Sequence, residues 1–140
     1  MLLAALARPD RVVGMVGIAA APDFTSWGYS EEQKLVILRE GRLAEPSPYG
    51  EQPFVTTRVF WESGEALRLL HGDIAIDCPV RLLHGQCDED VPWTWSIELM
   101  KRLRSADVQT ILIKDGDHRL SRESDLALLL ATVATLLESL

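Results

Sequence analysis

Residues 80–92 read VRLLHGQCDEDVP, and this stretch decides the fold. Its first part, Val80–Leu83, is a short apolar run typical of a buried strand, and a loop rich in carboxylates follows it at once. A second apolar run, Val108–Ile113, comes after an amphipathic helical pattern at Thr94–Ser105. Strand, helix and strand joined by short loops predict a right-handed crossover within a parallel sheet. The fold class is therefore predicted to be α/β.

The flanking sequence extends this pattern in both directions. We predict a third strand over Val12–Ala21 and a terminal helix over Ser124–Leu140, whose leucines follow helical spacing. Val12–Ala21 is apolar throughout, which is typical of a strand with neighbours on both sides and not of an edge strand. We therefore expect something outside this chain to cover it. Met1–Ala7 has the pattern of a helix end, because a proline follows it closely and no capping residue opens it.

The hydrophobic periodicity weakens between Thr25 and Asp77. We predict helices over Tyr29–Arg42 and within Thr56–Leu70, separated by a loop at Glu45–Pro53 that holds three prolines. A helical insertion broken by prolines is typical of a lid in an α/β enzyme, and a long irregular connection is the alternative. The predicted domains are a core over residues 1–26 and 77–140 and a lid insertion over residues 27–76.

Composition and charge exclude several classes of protein. The 140 residues are 47% hydrophobic, enough for one domain with its own core, and the net charge is −7. An acidic chain without a basic stripe is not expected to bind nucleic acid or an anionic membrane surface. The longest apolar stretch, Val12–Pro22, is too short to span a bilayer, and Met1–Ala7 lacks the features of a signal peptide. Cys78 and Cys87 lack metal-ligand spacing and are expected to be reduced thiols, so we predict a cytoplasmic protein.

Two polar side chains follow the two best-defined strands. Asp88 lies in the loop after Val80–Leu83, and His118 lies in the sequence DGDHR (115–119) after Val108–Ile113. Because the carboxyl ends of parallel strands open into one crevice, we expect the carboxylate and the imidazole to lie close together. An acid followed by a histidine in consecutive loops is the order of a catalytic triad whose serine comes earlier in the chain. We therefore predict Asp88 and His118 as the acid and base of a serine hydrolase.

Both residues also have a less specific interpretation. Asp88 belongs to the acidic run 88–90, which is equally typical of a solvated loop or of the charge near a helix N-terminus. His118 has Asp115 and Asp117 as local partners, in a tight turn where we expect Gly116 to supply a positive φ. The occurrence of both residues in matching loops favours the catalytic interpretation over these alternatives.

No metal or cofactor is predicted. Residues 115–126 fail as a calcium loop, because Leu120 stands where glycine is needed and Leu126 where glutamate is needed. His71 and His84 have no metal-ligand spacing with the cysteines. The glycine-rich cradle of a phosphate-binding module is also absent, which ranks that class last.

The nucleophile of the predicted triad is missing from this sequence. No Gly-x-Ser-x-Gly occurs in the 140 residues, although this motif presents the reactive serine in hydrolases with this order of acid and histidine. We therefore expect the chain to describe the acid–base half of such an enzyme.

A resemblance to a known family rests on four segments. They are residues 5–13 (ALARPDRVV), 78–85 (CPVRLLHG), 88–93 (DEDVPW) and 117–119 (DHR). These segments resemble the C-terminal half of the α/β-hydrolase superfamily. Within it they resemble the group of the mitochondrial palmitoyl-protein thioesterases, which also cleave mycophenolic acid acyl-glucuronide, and their bacterial relatives.

The resemblance implies an α/β-hydrolase fold, with parallel strands, flanking helices and a helical lid insertion. It implies that Asp88 is the triad acid and His118 the triad base, and that Met1–Ala7 runs on from a nucleophile elbow a few residues before Met1. The implied activity is hydrolysis of carboxylic esters or thioesters through an acyl-enzyme. Because the serine and the usual oxyanion-hole amides are not in this sequence, we expect no turnover from this chain alone.

The implied substrate is a small-molecule ester or acyl-thioester. We expect the lid to shape an apolar pocket for it, with Phe24 and Trp93 as lining residues. The alternative function is non-catalytic: a partner-dependent fragment that acts through an exposed sheet edge along Val12–Ala21. The partner expected in that case is a complementary N-terminal half or a second copy of the chain in a homodimer.

Overall fold

The computed structural model describes residues 1–47 and 50–140. The chain divides into two compact units, residues 1–22 with 70–140 and residues 23–69. Along the chain the elements are α1 (Leu2–Ala7), β1 (Met15–Ile18), α2 (Phe24–Trp27), α3 (Glu31–Glu40), β2 (Arg42–Glu45), β3 (Phe54–Thr57), α4 (Arg58–Ala66), β4 (Val80–Gly85), α5 (Thr94–Arg102), β5 (Val108–Ile113) and α6 (Glu123–Glu138).

The first unit is built on a parallel sheet with the strand order β1-β4-β5. In the register of the sheet, Val80 of β4 lies opposite Met15 of β1 and opposite Val108 of β5. All residues of β4 are buried, because this strand has a neighbour on each side and helices pack against the sheet. The predicted α/β class and the parallel sheet are confirmed.

The strands match their predicted positions to different degrees. β5 has the predicted bounds, and β4 begins at the predicted Val80 and runs on to Gly85. β1 is shorter than the predicted Val12–Ala21, since the backbone of Ala19 turns into the left-handed region with φ 45° and ends the strand. Within the described residues β1 pairs with β4 alone, and Ile18 is 41% exposed. The second neighbour expected from its apolar sequence is therefore not found in the described part of the chain.

The helix predicted over Thr94–Ser105 ends earlier than its sequence pattern does. α5 stops at Arg102, and Leu103 is extended. The amides of Arg104 and Ser105 donate instead to the carbonyls of Ile74 and Ile76, at 3.0 and 2.8 Å. Backbone bonding to a distant segment therefore replaces the last helical turn. No helix in the described part of the chain has both the length and the apolar character needed to cross a bilayer.

The second unit, residues 23–69, contains a pair of strands that was not predicted from the sequence. β2 and β3 pair antiparallel, with Arg42 opposite Thr57. The helix predicted over Tyr29–Arg42 is α3, which ends at Gly41 with φ 79°, a conformation suited to glycine. The helix predicted within Thr56–Leu70 is α4, whose N-cap Thr57 accepts a hydrogen bond from the amide of Phe60. The loop predicted at Glu45–Pro53 includes Pro48 and Tyr49, which lie outside the described residues.

The two ends of this second unit are joined by one carboxylate. Oδ1 of Asp23, the first residue of the unit, accepts a hydrogen bond of 2.7 Å from the amide of Leu69, the last residue. The Asp23 side chain is almost fully buried, and its other oxygen lies 3.6 Å from Nε of Arg68. The unit is thus closed at its base by contacts among its own residues. It overlaps the predicted lid over residues 27–69, and the assignment of a lid stays a prediction.

Candidate active site

Asp88 lies in the loop that follows β4, and its side chain is completely shielded from solvent. Oδ1 accepts hydrogen bonds from the backbone amides of Asp90 and Val91, at 2.9 and 2.8 Å. These bonds fold the loop around the carboxylate, as in an Asx turn. The alternative of a solvated surface loop therefore applies to Glu89 and Asp90, which are exposed, and not to Asp88.

His118 lies in the loop that follows β5, and the structure brings it to Asp88. Its Nδ1 lies 3.0 Å from Oδ2 of Asp88, across a sequence separation of 30 residues. The imidazole side chain is 43% exposed. The pair therefore joins a buried carboxylate to an accessible imidazole at the carboxyl ends of two neighbouring strands.

The local acids expected as alternative partners of His118 are engaged elsewhere. Asp115 forms a two-bond ion pair with Arg122, at 2.8 and 3.2 Å. Oδ1 of Asp117 accepts hydrogen bonds from the amides of Arg119 and Leu120, and these bonds shape the turn. Asp117 is therefore a turn residue, and the carboxylate facing Nδ1 of His118 is that of Asp88.

Two glycines allow the loops of Asp88 and His118 to meet. A Cβ atom on Gly85 would overlap the carbonyl group of Gly116 and would lie 2.6 Å from the carbonyl oxygen of Asp117. Hydrogen bonds join the loops at the same place, from the amide of Gln86 to Ile113 and from the amide of Cys87 to Gly116, at 2.8 and 2.9 Å. Glycine is needed here because two backbones touch.

The prediction that Gly116 supplies a positive φ is wrong. Gly116 is not among the residues with positive φ, and the left-handed conformation of this loop is taken by Leu120, with φ 45°. Leu120 is buried. Its packing, together with the hydrogen bonds that the amides of Arg119 and Leu120 donate to Asp117, holds it in a conformation that leucine rarely adopts. Gly116 provides room for Gly85 instead.

A second histidine, His84, belongs to the site and was not identified from the sequence. It is the residue before Gly85 in β4 and is fully buried. Its Nε2 lies 3.1 Å from Oδ2 of Asp88 and 2.9 Å from the carbonyl oxygen of Val91, while its Nδ1 lies 2.7 Å from Oγ of buried Ser96. The signal that could have found it is its position: a polar residue inside a strand buried on both faces requires hydrogen-bond partners.

The hydrogen bonds around Asp88 fix its ionisation state. Burial works to raise the pKa of the carboxyl group, but hydrogen bonds from the Val91 amide, from His118 and from the Asp90 amide outweigh it. The pKa of Asp88 is therefore below its ordinary value of 3.8, and the group is ionised at neutral pH. An ionised carboxylate only accepts hydrogen bonds, so Nδ1 of His118 carries the proton that faces it.

This ionisation predicts a pH dependence of stability. A carboxyl group whose pKa is lowered by folding stabilises the native state fully above its unfolded pKa, and this contribution is lost as the pH falls through the lowered folded value. We expect the free energy of unfolding of the 140-residue chain to fall more steeply below about pH 4 than that of Asp88→Asn. Urea unfolding followed by tryptophan fluorescence at a series of pH values measures both slopes, and equal slopes would contradict the lowered pKa.

A group of possible metal ligands overlaps the site. Ligand atoms of Asp88, Asp90 and His118 all lie within 4.8 Å of one another. Both oxygens of Asp88 already accept hydrogen bonds, so an ion would have to displace His118 or a loop amide. The arrangement is accounted for by hydrogen bonding, and we assign no metal to it.

The two expected pocket residues lie in different units. Phe24 belongs to residues 23–69, where its ring is 5.5 Å from that of Phe60 and 6.4 Å from that of Tyr29. Trp93 belongs to the first unit, where it precedes α5 and its carbonyl accepts from the amide of Ser96. Both side chains are half-buried. Their role in binding substrate stays a prediction.

The parallel sheet, with an acid loop after one strand and a histidine loop after the next, defines the C-terminal half of an α/β-hydrolase fold. No family model matches the chain. The chain is 40% identical over its whole length to the palmitoyl-protein thioesterase ABHD10, mitochondrial, of Mus musculus, and covers 48% of that protein. The Homo sapiens protein of the same name is 38% identical, again over the whole chain, which covers 47% of it.

Two solved structures that match this chain are also named as hydrolases. The alpha/beta hydrolase domain-containing protein 10 from mouse matches with a TM-score of 0.89 and 40% identity, over 99% of this chain and 57% of that one. A putative hydrolase from Agrobacterium vitis S4 matches with a TM-score of 0.81 and 37% identity, over 90% of this chain and 50% of that one. The chain thus has the α/β-hydrolase fold and is homologous to the C-terminal half of these hydrolases. It spans about half the length of the relatives it matches.

Proposed function

We propose that this chain supplies the acid and the base of a serine hydrolase that cleaves carboxylic esters or thioesters. The observation that carries the proposal is the hydrogen bond between Asp88 and His118 at the carboxyl ends of β4 and β5. The homology of the chain to proteins named as thioesterases supports an acyl-thioester as one substrate class. The mechanism uses no cofactor, since proton transfer and acyl transfer need only side chains and water.

In the proposed mechanism, Asp88 keeps the proton of neutral His118 on Nδ1, which leaves Nε2 as a proton acceptor. Within residues 1–47 and 50–140, no hydrogen bond occupies Nε2 of His118. This nitrogen takes the proton of the serine hydroxyl as the serine attacks the acyl carbon, and gives it to the leaving group. Water then cleaves the acyl-enzyme by the same route, and the negative charge of Asp88 stabilises the imidazolium formed in each step.

The nucleophile in this proposal comes from a polypeptide segment outside the 140 residues. These residues contain no Gly-x-Ser-x-Gly, and the relatives are about twice as long as the chain. The same segment would supply the amides of the oxyanion hole, which are worth several orders of magnitude in rate. We therefore propose that the chain by itself does not turn over esters.

We test the proposal by labelling with a fluorophosphonate, which reacts with an activated serine. The chain is fused behind the N-terminal half of the Mus musculus relative, the part that it does not match. We expect labelling of the fusion and none of the chain alone. We also expect His118→Ala to abolish the labelling, because no other imidazole in the described residues faces Asp88 with an accessible ring.

The matched control for this experiment is His71→Ala. His71 is an exposed histidine of the same unit, away from the hydrogen bonds of the site, so the variant should be labelled like the parent fusion. Circular dichroism identifies any variant that fails to fold. Full labelling and full ester turnover in folded His118→Ala would remove His118 from the mechanism.

We propose residues 27–76 as the lid and Phe24 and Trp93 as lining residues of the acyl pocket. The cytoplasmic location rests on the two unpaired cysteines, whereas the names of the relatives carry the word mitochondrial. Fractionation of the source cells would decide between the two locations.

A second candidate function is supported by the edge position of β1. This strand pairs with β4 alone among the described residues and leaves one row of backbone groups available to a partner strand. A complementary N-terminal half, or a second copy of the chain, would add a strand there. Light scattering coupled to size-exclusion chromatography tests the homodimer: we expect a mass near 31 kDa, twice the 15.6 kDa of the chain. A folded monomer at micromolar concentration would count against it.

A further inference from the structure

We propose that His84 is a positioning residue that holds Oδ2 of Asp88 in place for His118. The inference rests on the proposed function, because it deepens the role of the Asp88–His118 pair. His84 is buried, carries a titratable ring and takes no part in the proton transfers described above. Its contact with Asp88 indicates that it acts through this carboxylate and not on the substrate.

The protonation of the His84 ring follows from its neighbours. Nε2 faces two groups that only accept hydrogen bonds, the ionised carboxylate of Asp88 at 3.1 Å and the carbonyl oxygen of Val91 at 2.9 Å. Nε2 must therefore carry a hydrogen, which it shares between the two acceptors in a bifurcated hydrogen bond. In the neutral ring Nδ1 is then an acceptor, and the hydroxyl of Ser96 lies 2.7 Å away as its donor.

The hydrogen bond from Ser96 fixes the tautomer and the orientation of the His84 ring. Ser96 lies on α5, and both Ser96 and His84 are fully buried, so water cannot replace either partner. A hydroxyl donating to Nδ1 favours the tautomer with hydrogen on Nε2, as the outer partner of a metal-bound histidine fixes its tautomer. The hydrogen bonds run from Ser96 to His84 and from His84 to Asp88.

The consequence for the site lies in the geometry of one carboxylate. Oδ1 of Asp88 is held by two backbone amides, and Oδ2 is held by Nε2 of His84. The terminal torsion of an aspartate is soft, so both oxygens need donors to fix the plane of the group. With that plane fixed, Oδ2 has one remaining direction in which to accept from His118, which is itself partly exposed.

A purely structural role for His84 makes a different prediction. His84 also ties the loop of residues 85–91 to the strand through the carbonyl of Val91, so any variant without its N–H is expected to lose stability. Loss of stability alone would leave the ring of His118 unchanged in the folded protein. The tautomer of His118 in the folded variant therefore distinguishes a positioning role of His84 from a purely structural one.

The experiment uses the 140-residue chain, labelled with ¹⁵N and studied by long-range ¹H–¹⁵N NMR of the histidine rings. The chain has three histidines, and His71→Gln identifies the signals of the one that lies outside the site. In the parent chain we expect neutral His118 to hold its proton on Nδ1, and His84 on Nε2. We expect His84→Leu to remove the preference of His118 for Nδ1, and His84→Gln, whose side-chain amide can still donate toward Asp88, to retain most of it.

An unchanged His118 tautomer in folded His84→Leu would overturn the proposal, as would equal loss in His84→Gln and His84→Leu. If His84→Leu does not fold, Ser96→Ala decides. This milder change removes the donor to Nδ1 of His84, and we expect a weaker but measurable loss of the His118 preference. No change in Ser96→Ala would then overturn the proposal.

The fused hydrolase separates this proposal from the proposed function. There we expect His84→Leu to lower kcat on the order of 10- to 100-fold, the size of the loss when the hydrogen-bond partner of a metal-binding side chain is removed, with KM unchanged and with recovery in His84→Gln. If His118→Ala keeps full activity, the hydrolase assignment fails whatever His84 does. If His118→Ala is inactive while His84→Leu keeps the full kcat, the positioning role alone fails.

Discussion

Asp88→Asn is expected to lower the kcat of the fused hydrolase by about 10⁴-fold, the size of the effect when the acid of a triad is replaced by its amide. The amide has nearly the same shape, and its oxygen can continue to accept from the loop amides of Asp90 and Val91. Its NH₂ group then faces His118 in place of Oδ2. A donor at this position requires Nδ1 of His118 to be the acceptor, so the proton moves to Nε2 and the nitrogen that must take the serine proton is blocked.

The control for this variant is Asp90→Asn. Asp90 is exposed and neighbours the site, and it contributes its backbone amide, which the substitution keeps. We expect a kcat within about threefold of the parent, as for a surface charge that is screened by solvent. Steady-state kinetics with a p-nitrophenyl ester measure both variants. A comparable loss in the two would show that the charge of the loop matters and that the hydrogen bond to His118 does not.

Gly85→Ala is expected to destabilise the chain by about 3 kcal/mol or more, at the upper end of the cost of overpacking. The added methyl group would overlap the backbone of Gly116 and approach that of Asp117. Backbone atoms cannot rotate out of the way as the end of a flexible side chain can, so the loops after β4 and β5 must separate. The bond between Asp88 and His118 spans these loops, and we expect it to lengthen or break.

Gly72→Ala is the matched control, because a Cβ there would meet nothing within 4 Å and the residue belongs to the same unit. Urea unfolding gives the stability of both variants, and the ring nitrogens of His118 report the hydrogen bond in the folded state. We expect Gly72→Ala to remain within about 0.5 kcal/mol of the parent, as for most surface changes. Equal stability of the two variants would mean that the loops can move apart without cost.

The sequence was sufficient to predict the features that depend on burial along a strand. β4 and β5 are apolar runs of strand length between polar loops, so their existence, their parallel arrangement and the proximity of the following loops could be predicted. β2 and β3 could not, because these strands are four residues long and their sequences, RLAE and FVTT, do not alternate between apolar and polar residues. Each of these strands forms by pairing with the other, and neither sequence alone carries a strand pattern.

The contact between Asp88 and His118 could be predicted from the sequence, but the hydrogen-bond network around it could not. Asp88 and His118 carry a local signal, since each follows a strand that is evident from the sequence. His84 is linked to Ser96, which lies on the next helix, and to the loop carbonyl of Val91, so its partners become visible only in three dimensions. For Gly116, the turn-like sequence indicated conformational freedom, whereas the structure uses its lack of a side chain.

The closure between Asp23 and Leu69 has a consequence for how this protein can change over generations. A segment whose beginning and end meet at one hydrogen bond can be lengthened, shortened or exchanged for another at small entropic cost, since closing a longer loop adds only a fraction of a kcal/mol. Mutation and recombination can therefore change the length of residues 23–69 at small entropic cost, as long as Asp23 and the amide of Leu69 still meet.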